Sequence, residues 1–320
     1  MNKELLMRDN LSDTGSVPSI GSMYNSPDLI VHEQIEDPYS FFIESYNKDV
    51  NQPLDIHSHV NLIYVRVKNL SNVPKIAYIH LYAANASLFL NTSEWITNKL
   101  KTAEGVDYVQ TDVIQPGEIG VGKVPFVFNA LSEHNYCHIG YVLDSPNEPD
   151  IPSDFKDYEE YSTWLHGNTN ICMRNFTLID GPRYYLENSC GYSNPKNQDI
   201  SGIFEFQLGG KFPTNTEIVF ISKQLGIEKK IVLEKDITQY SDVIKAVIPS
   251  DSIGVAILKV SLPPGYEGEK GAYAALLFYV IGNGKKLLHP KNQELSVINF
   301  KEQYGSLIKV GQCTVAFNNN

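Results

Sequence analysis

The feature that most constrains this chain is the stretch 59–84, HVNLIYVRVKNLSNVPKIAYIHLYAA. Ile63, Val65 and Val67 alternate with Leu62, Tyr64, Arg66 and Lys68. Further on, Ala77, Ile79, Leu81 and Ala83 alternate with Ile76, Tyr78, His80 and Tyr82. Strand side chains point to opposite faces in turn, so each run has one apolar face and one mixed face. The polar segment Asn69–Pro74 reads as the turn of a β-hairpin. A hairpin with one apolar face must bury it against a second sheet, which predicts a β-sandwich.

Strand signals recur on both sides of this stretch. Residues 1–25 are polar and read as an N-terminal arm, followed by a short strand at 26–32. Residues 33–56 lack a period and read as a connection along the sandwich edge. Strands are expected at 87–90, 108–114, 121–128, 134–143 and 171–179, and Trp95 follows a polar helix start or turn. The best helical pattern is 153–166. Ser153 is suited to cap it, Asp154 to meet the positive end of its dipole and Gly167 to supply a left-handed stop. Phe155, Tyr158, Tyr161 or Ser162, and Leu165 fall near one face of it.

The second half reads in the same way, with strands at 203–208, 217–222, 230–233, 254–260, 272–281, 295–300 and 307–317. Short strands separated by turn signals predict a second sandwich. The fold expected is therefore all-β, two antiparallel immunoglobulin-like sandwiches in tandem with one short helix in the first. The domains expected are 26–185 and 190–320. The boundary falls within 180–198, where periodicity is lost.

A length of 320 residues suits two such domains. Nineteen tyrosines against two tryptophans fit half-buried strand surfaces and wet binding faces. The formal net charge of −11 repels phosphate backbones and anionic headgroups, and no basic stripe offsets it, so nucleic acid is not an expected partner. The start of the chain has no apolar core of a Sec signal, and the longest apolar run, 272–281, is about half a bilayer span. A soluble protein is expected, cytoplasmic or exported by a non-Sec route. Cys137, Cys172, Cys190 and Cys313 form no CxxC pair and read as free, largely buried thiols.

The segments Val60–Asn69 and Ala77–Ala84 resemble the immunoglobulin-like cell-adhesion-related domain found in bacteria. The lead-in Ser26–Ile30, Gln115–Gly117 and His134–Cys137 are compatible with it. The resemblance reaches over residues 26–180 and carries no catalytic motif. It implies a noncatalytic accessory or interaction role of the kind seen in bacterial surface or secreted proteins.

Four constellations invite chemistry and none completes it. Gly117–Lys123 has P-loop spacing, but Val124 replaces the hydroxyl that binds Mg²⁺, and Pro125–Phe128 continues as strand rather than helix. His134 and His138 share a strand face while Cys137 points away, and His57 with His59 adds only a pair, short of a zinc set. The loop from Asp144 to Asp150, with Asp154 and Asp157, is rich in calcium-type oxygens but lacks EF-hand order. Glu159 and Glu160 sit on an exposed helix face. No catalytic, metal or cofactor residue is assigned, no cofactor is expected, and ligand-binding residues stay open. The function expected is a noncatalytic bacterial interaction module, serving adhesion, a scaffold or a secreted assembly, with a protein partner or a second copy bound. The alternatives are a toxin or virulence component acting on target cells, and a carbohydrate-binding protein using Trp95, Trp164 and tyrosines as platforms.

Overall fold

β4 (Asn61–Asn69) is the hub of the first half in a computed structural model that describes residues 4–55, 60–85, 92–130, 136–152, 155, 158–179, 184–194, 196–281 and 307–317. It pairs with β1 (Leu5–Leu6), β2 (Leu29–Val31), β8 (Ile119–Val121) and β9 (Phe126–Phe128). β6 (Lys101–Thr102) completes that sheet on β9. The facing sheet runs β11 (Ile171–Asn175), β10 (Tyr136–Leu143), β5 (Tyr78–Asn85), β7 (Val109–Gln110). β4 and β5 therefore belong to different sheets, and 59–84 is not a hairpin. The connection crosses from one sheet to the other. Asn69 holds it by donating its side-chain amide to the carbonyls of Val73 and Ile114, at 2.8 and 2.9 Å. The alternation still sorts the faces as expected. Ile63, Val65 and Val67 meet Ala77, Ile79, Leu81 and Ala83 in one buried cluster between the sheets.

The other face of β4 is buried too. α1 (Pro38–Glu44) lies over it, started by Asp37, whose Oδ1 accepts from the Ser40 N–H at 3.1 Å, and by Pro38 in the first turn. Phe42 packs on Tyr64 with ring centroids 4.8 Å apart. The polar arm expected at 1–25 is built into the sandwich as well: Leu5, Leu6, Met7, Met23 and Tyr24 are all buried.

The second sandwich pairs the sheet β17 (Ile237–Ile248), β14 (Ile200–Phe212), β19 (Tyr273–Ile281), β20 (Leu307–Ala316), β12 (Thr177–Ile179), β3 (Leu54–Asp55) with the sheet β13 (Tyr185–Asn194), β18 (Ser252–Ser261), β15 (Glu217–Ser222), β16 (Ile227–Val232). β12 and β3 precede the second sandwich in the chain; β12 joins β20 in parallel and β3 joins β12 in parallel. The single strand expected at 171–179 is thus two strands in two sandwiches. Residues 185–194, where the sequence loses its period, form β13. The period is present but carried by Leu186, Asn188, Cys190, Tyr192 and Asn194, which hydrophobicity does not reveal. Asn188 reaches across to the opposite sheet, donating to the Cys313 carbonyl at 2.8 Å.

A disulfide joins Cys190 on β13 to Cys313 on β20, with Cα atoms 6.4 Å apart, correcting the expectation of four free thiols. Cys137 and Cys172 are free and buried. α2 (Thr92–Thr97) carries Trp95, and α3 (Tyr158–His166) buries Tyr161 and Leu165, with Phe155 just ahead of it. Ser153, Asp154 and Asp157 lie outside the described residues, as do the expected strands at 87–90 and 295–300. Gly167 does not take the left-handed conformation; its N–H simply bonds the Thr163 carbonyl at 2.9 Å. Among the described residues, no helix is long and apolar enough to cross a membrane.

Candidate functional site

Where they fall on described residues, the constellations read from sequence sit in structural roles. Gly117, with φ of +80°, makes a turn, and the residues after it form β8 along β4 rather than a helix. Lys123 pairs with Asp112 at 2.8 Å. His138 and Cys137 point to opposite faces of β10. His138 is fully enclosed, with Phe128 and Phe176 rings edge-on at 4.6 and 4.8 Å. Desolvation pushes its pKa down to about 3, so the imidazole is neutral. His57, His59 and His134 lie outside the described residues. Two acids of the acidic loop meet lysines: Asp144 pairs with Lys75 at 3.4 Å and Glu148 with Lys99 at 2.5 Å. Trp95 is completely buried, and Trp164 leans on it with centroids 6.2 Å apart. Trp95 therefore offers no flat platform for a sugar.

Two ionic clusters were not visible in the sequence. Asp28 sits between Arg8 and Arg66, at 2.6 and 3.2 Å, with all three side chains buried. Arg66 also donates to the carbonyls of Pro27 and Ser45, the latter at 2.9 Å, and so ties α1 to β4. The second cluster joins Asp9, just past β1, to Ser19 and to His166 at the end of α3. The Ser19 hydroxyl contacts the Asp9 carboxyl and lies 2.7 Å from His166 Nδ1. The order is wrong for a serine nucleophile, which needs the imidazole between carboxylate and hydroxyl. Here the hydroxyl is in the middle and the set works as a tether for the N-terminal segment. Desolvation raises the Asp9 pKa to about 8, and the same cause lowers that of His166. Separations of 10 and 147 residues leave no local signal for such a cluster.

The surface most suited to contact lies on the second sandwich. On the outer face of β18, Ile253 is 82% exposed and Val255 38% exposed. Their neighbours on β13 are Ser193 and Gly191, too small to cover them. Ile257, and Val219 and Ile221 on β15, continue the same face, half-buried. Lys230–Glu217 and Lys259–Glu187 ion pairs, at 2.5 and 2.7 Å, lie among these aliphatic side chains. The result is an aliphatic strip in a charge-balanced setting, the composition of a protein contact surface rather than of a polyanion site.

No protein-family model matches the chain, and no curated protein matches it. Among solved structures, it is similar to a red sea bream transglutaminase at 9% identity and a TM-score of 0.22, covering 88% of this chain and 33% of that one. It thus spans about a third of that enzyme. It is also similar to the collagen adhesin of S. aureus at 10% identity and a TM-score of 0.22, covering 83% of this chain and 90% of that one. The ACE protein of Enterococcus faecalis, described as binding its ligands by a collagen hug, gives 10% identity and a TM-score of 0.22, covering 82% of this chain and 91% of that one. Superpositions this loose fix no activity, and the reading below rests on the chain's own geometry.

Proposed function

We propose that this chain is a noncatalytic bacterial interaction module that binds a protein partner through the outer face of β13, β18 and β15. The observation that carries this reading is the exposed aliphatic strip centred on Ile253 and Val255. Burying such side chains against a partner contributes about 25 cal/mol per Å² of apolar area. Among the described residues, His138, Lys123, Asp144 and Glu148, which first suggest chemistry, are engaged in ring packing and ion pairs. The Cys190–Cys313 disulfide favours an oxidising compartment, which fits a surface or secreted setting over the cytoplasm. Adhesion, a scaffold role or a place in a secreted assembly all fit such a module.

The test compares wild type with Ile253→Asp/Val255→Asp in affinity isolation from the producing cell and in sedimentation equilibrium. A partner, or self-association, lost in the variant supports the reading. Equal capture by both proteins contradicts it. A glycan array that lights up, or liposome leakage without protein capture, moves the assignment to carbohydrate binding or to a toxin.

A further inference from the structure

A cavity of about 510 Å³ opens at the seam between the two halves. Its walls come from separate segments: Met23 in the lead-in, Ser162 and His166 on α3, and Tyr279, Ile308 and Lys309 on β19 and β20. That volume is in the range of small-molecule sites. Tyr279 is the register partner of Lys309, and Leu307, two residues before the lysine, shares that face and also lines the cavity, so an apolar wall stands beside the ammonium; Ile308 leaves β20 on the opposite face and packs with Met23 in the core cluster.

Lys309 sets the chemistry. Its ammonium donates to Gln312 Oε1 at 2.5 Å, which uses one of three donors. Glu205, the carboxylate that acts on it electrostatically, is already engaged. It accepts from the Tyr279 hydroxyl and from the Gln207 amide, each at 2.9 Å. His166 turns Nδ1 to Ser19, which leaves Nε2 as its remaining polar atom. A partly desolvated ammonium with unused donors is satisfied best by an anion, and the apolar walls ask for an organic one. We infer that this cavity binds a small organic carboxylate, its head on Lys309 and its body against Leu307 and the Tyr279 ring. Burial holds the Lys309 pKa down at about 8, and Glu205 on β14, Tyr279 on β19 and His166 on α3 are the titratable groups around it. A bound carboxylate favours the charged ammonium, so binding weakens as pH rises above that value.

Hexanoate and hexanol, titrated into the full chain by calorimetry at pH 7, test the inference. Hexanoate should bind and hexanol should bind at least about tenfold more weakly, the size of a charge-assisted hydrogen bond. Lys309→Gln should cost hexanoate about tenfold or more on the same grounds. Leu307→Trp, which fills the space beside the lysine and keeps its charge, should abolish binding of both. Absence of hexanoate binding at millimolar concentration, equal affinity for the two probes, or full hexanoate affinity in Lys309→Gln overturns the proposal. If Lys309→Gln fails to fold, undiminished binding by Leu307→Trp overturns it instead.

Discussion

Arg66 shows how much one side chain can hide from a sequence. It follows Val65 on β4, and strand alternation sends the two to opposite faces. Val65 enters the core between the sheets, so Val65→Asp should be severely destabilising. If the other face were solvated, Arg66→Ala would cost about 1 kcal/mol or less. It is instead buried under α1, and removing the guanidinium strands Asp28 with Arg8 alone. Urea unfolding should show Arg66→Ala losing roughly 3–5 kcal/mol. Two other buried groups make stability depend on pH. The folded pKa of His138 lies below its unfolded value, so its contribution is complete above about 6.5 and is lost as pH falls toward about 3. His138→Phe, among aromatic rings, should therefore flatten the acid limb of the stability curve, gaining roughly 2–3 kcal/mol on wild type at about pH 4. Asp9 has the opposite sign. Its folded pKa of about 8 is raised, so its contribution is complete below about 4 and is lost as pH rises through about 8. Asp9→Asn should remove that decline, and unfolding at pH 5 and pH 9 measures the difference.

At the scale of elements, faces were legible and partners were not. The period of 59–84 placed Ile63, Val65, Val67, Ala77, Ile79, Leu81 and Ala83 on the correct side, yet a hairpin and a crossing between sheets leave the same alternation. What decides between them is Asn69, whose amide ties the crossing to Ile114, far along the chain. The run 217–222 was readable because Ile218 and Phe220 alternate with half-exposed neighbours. β13 escaped because its inward positions include Asn188, Cys190 and Asn194, polar or small residues satisfied by carbonyls and a disulfide. The outer strip escaped for a related reason: Ile253 and Val255 look like core residues until Ser193 and Gly191 are found beside them. Asn188→Ala, which removes the amide's bonds to the Ala274 and Cys313 carbonyls, should cost about 1–3 kcal/mol by urea unfolding. A loss under a few tenths would show that this inter-sheet bond is not part of what holds β13 in place.

Across the whole molecule the two sandwiches share structure. β3 and β12, which precede the second sandwich in the chain, extend the sheet that carries β20, and one buried cluster runs from Met23 and Trp95 through to Phe278 and Phe317. We propose two units, divided near residues 180–184, that unfold together. Calorimetry should show one transition, and two resolved transitions would mean that the shared sheet couples the halves weakly. Reducing Cys190–Cys313 releases a 123-residue loop and should lower stability by about 2–5 kcal/mol. The face around Ile253 is proposed to meet a partner. A photoreactive amino acid placed at position 253, and separately at Val247 on the edge strand β17, tests this in the producing cell. A discrete protein adduct is expected from position 253 and none from 247; adducts from 247 alone, or from neither, would overturn the proposed interface.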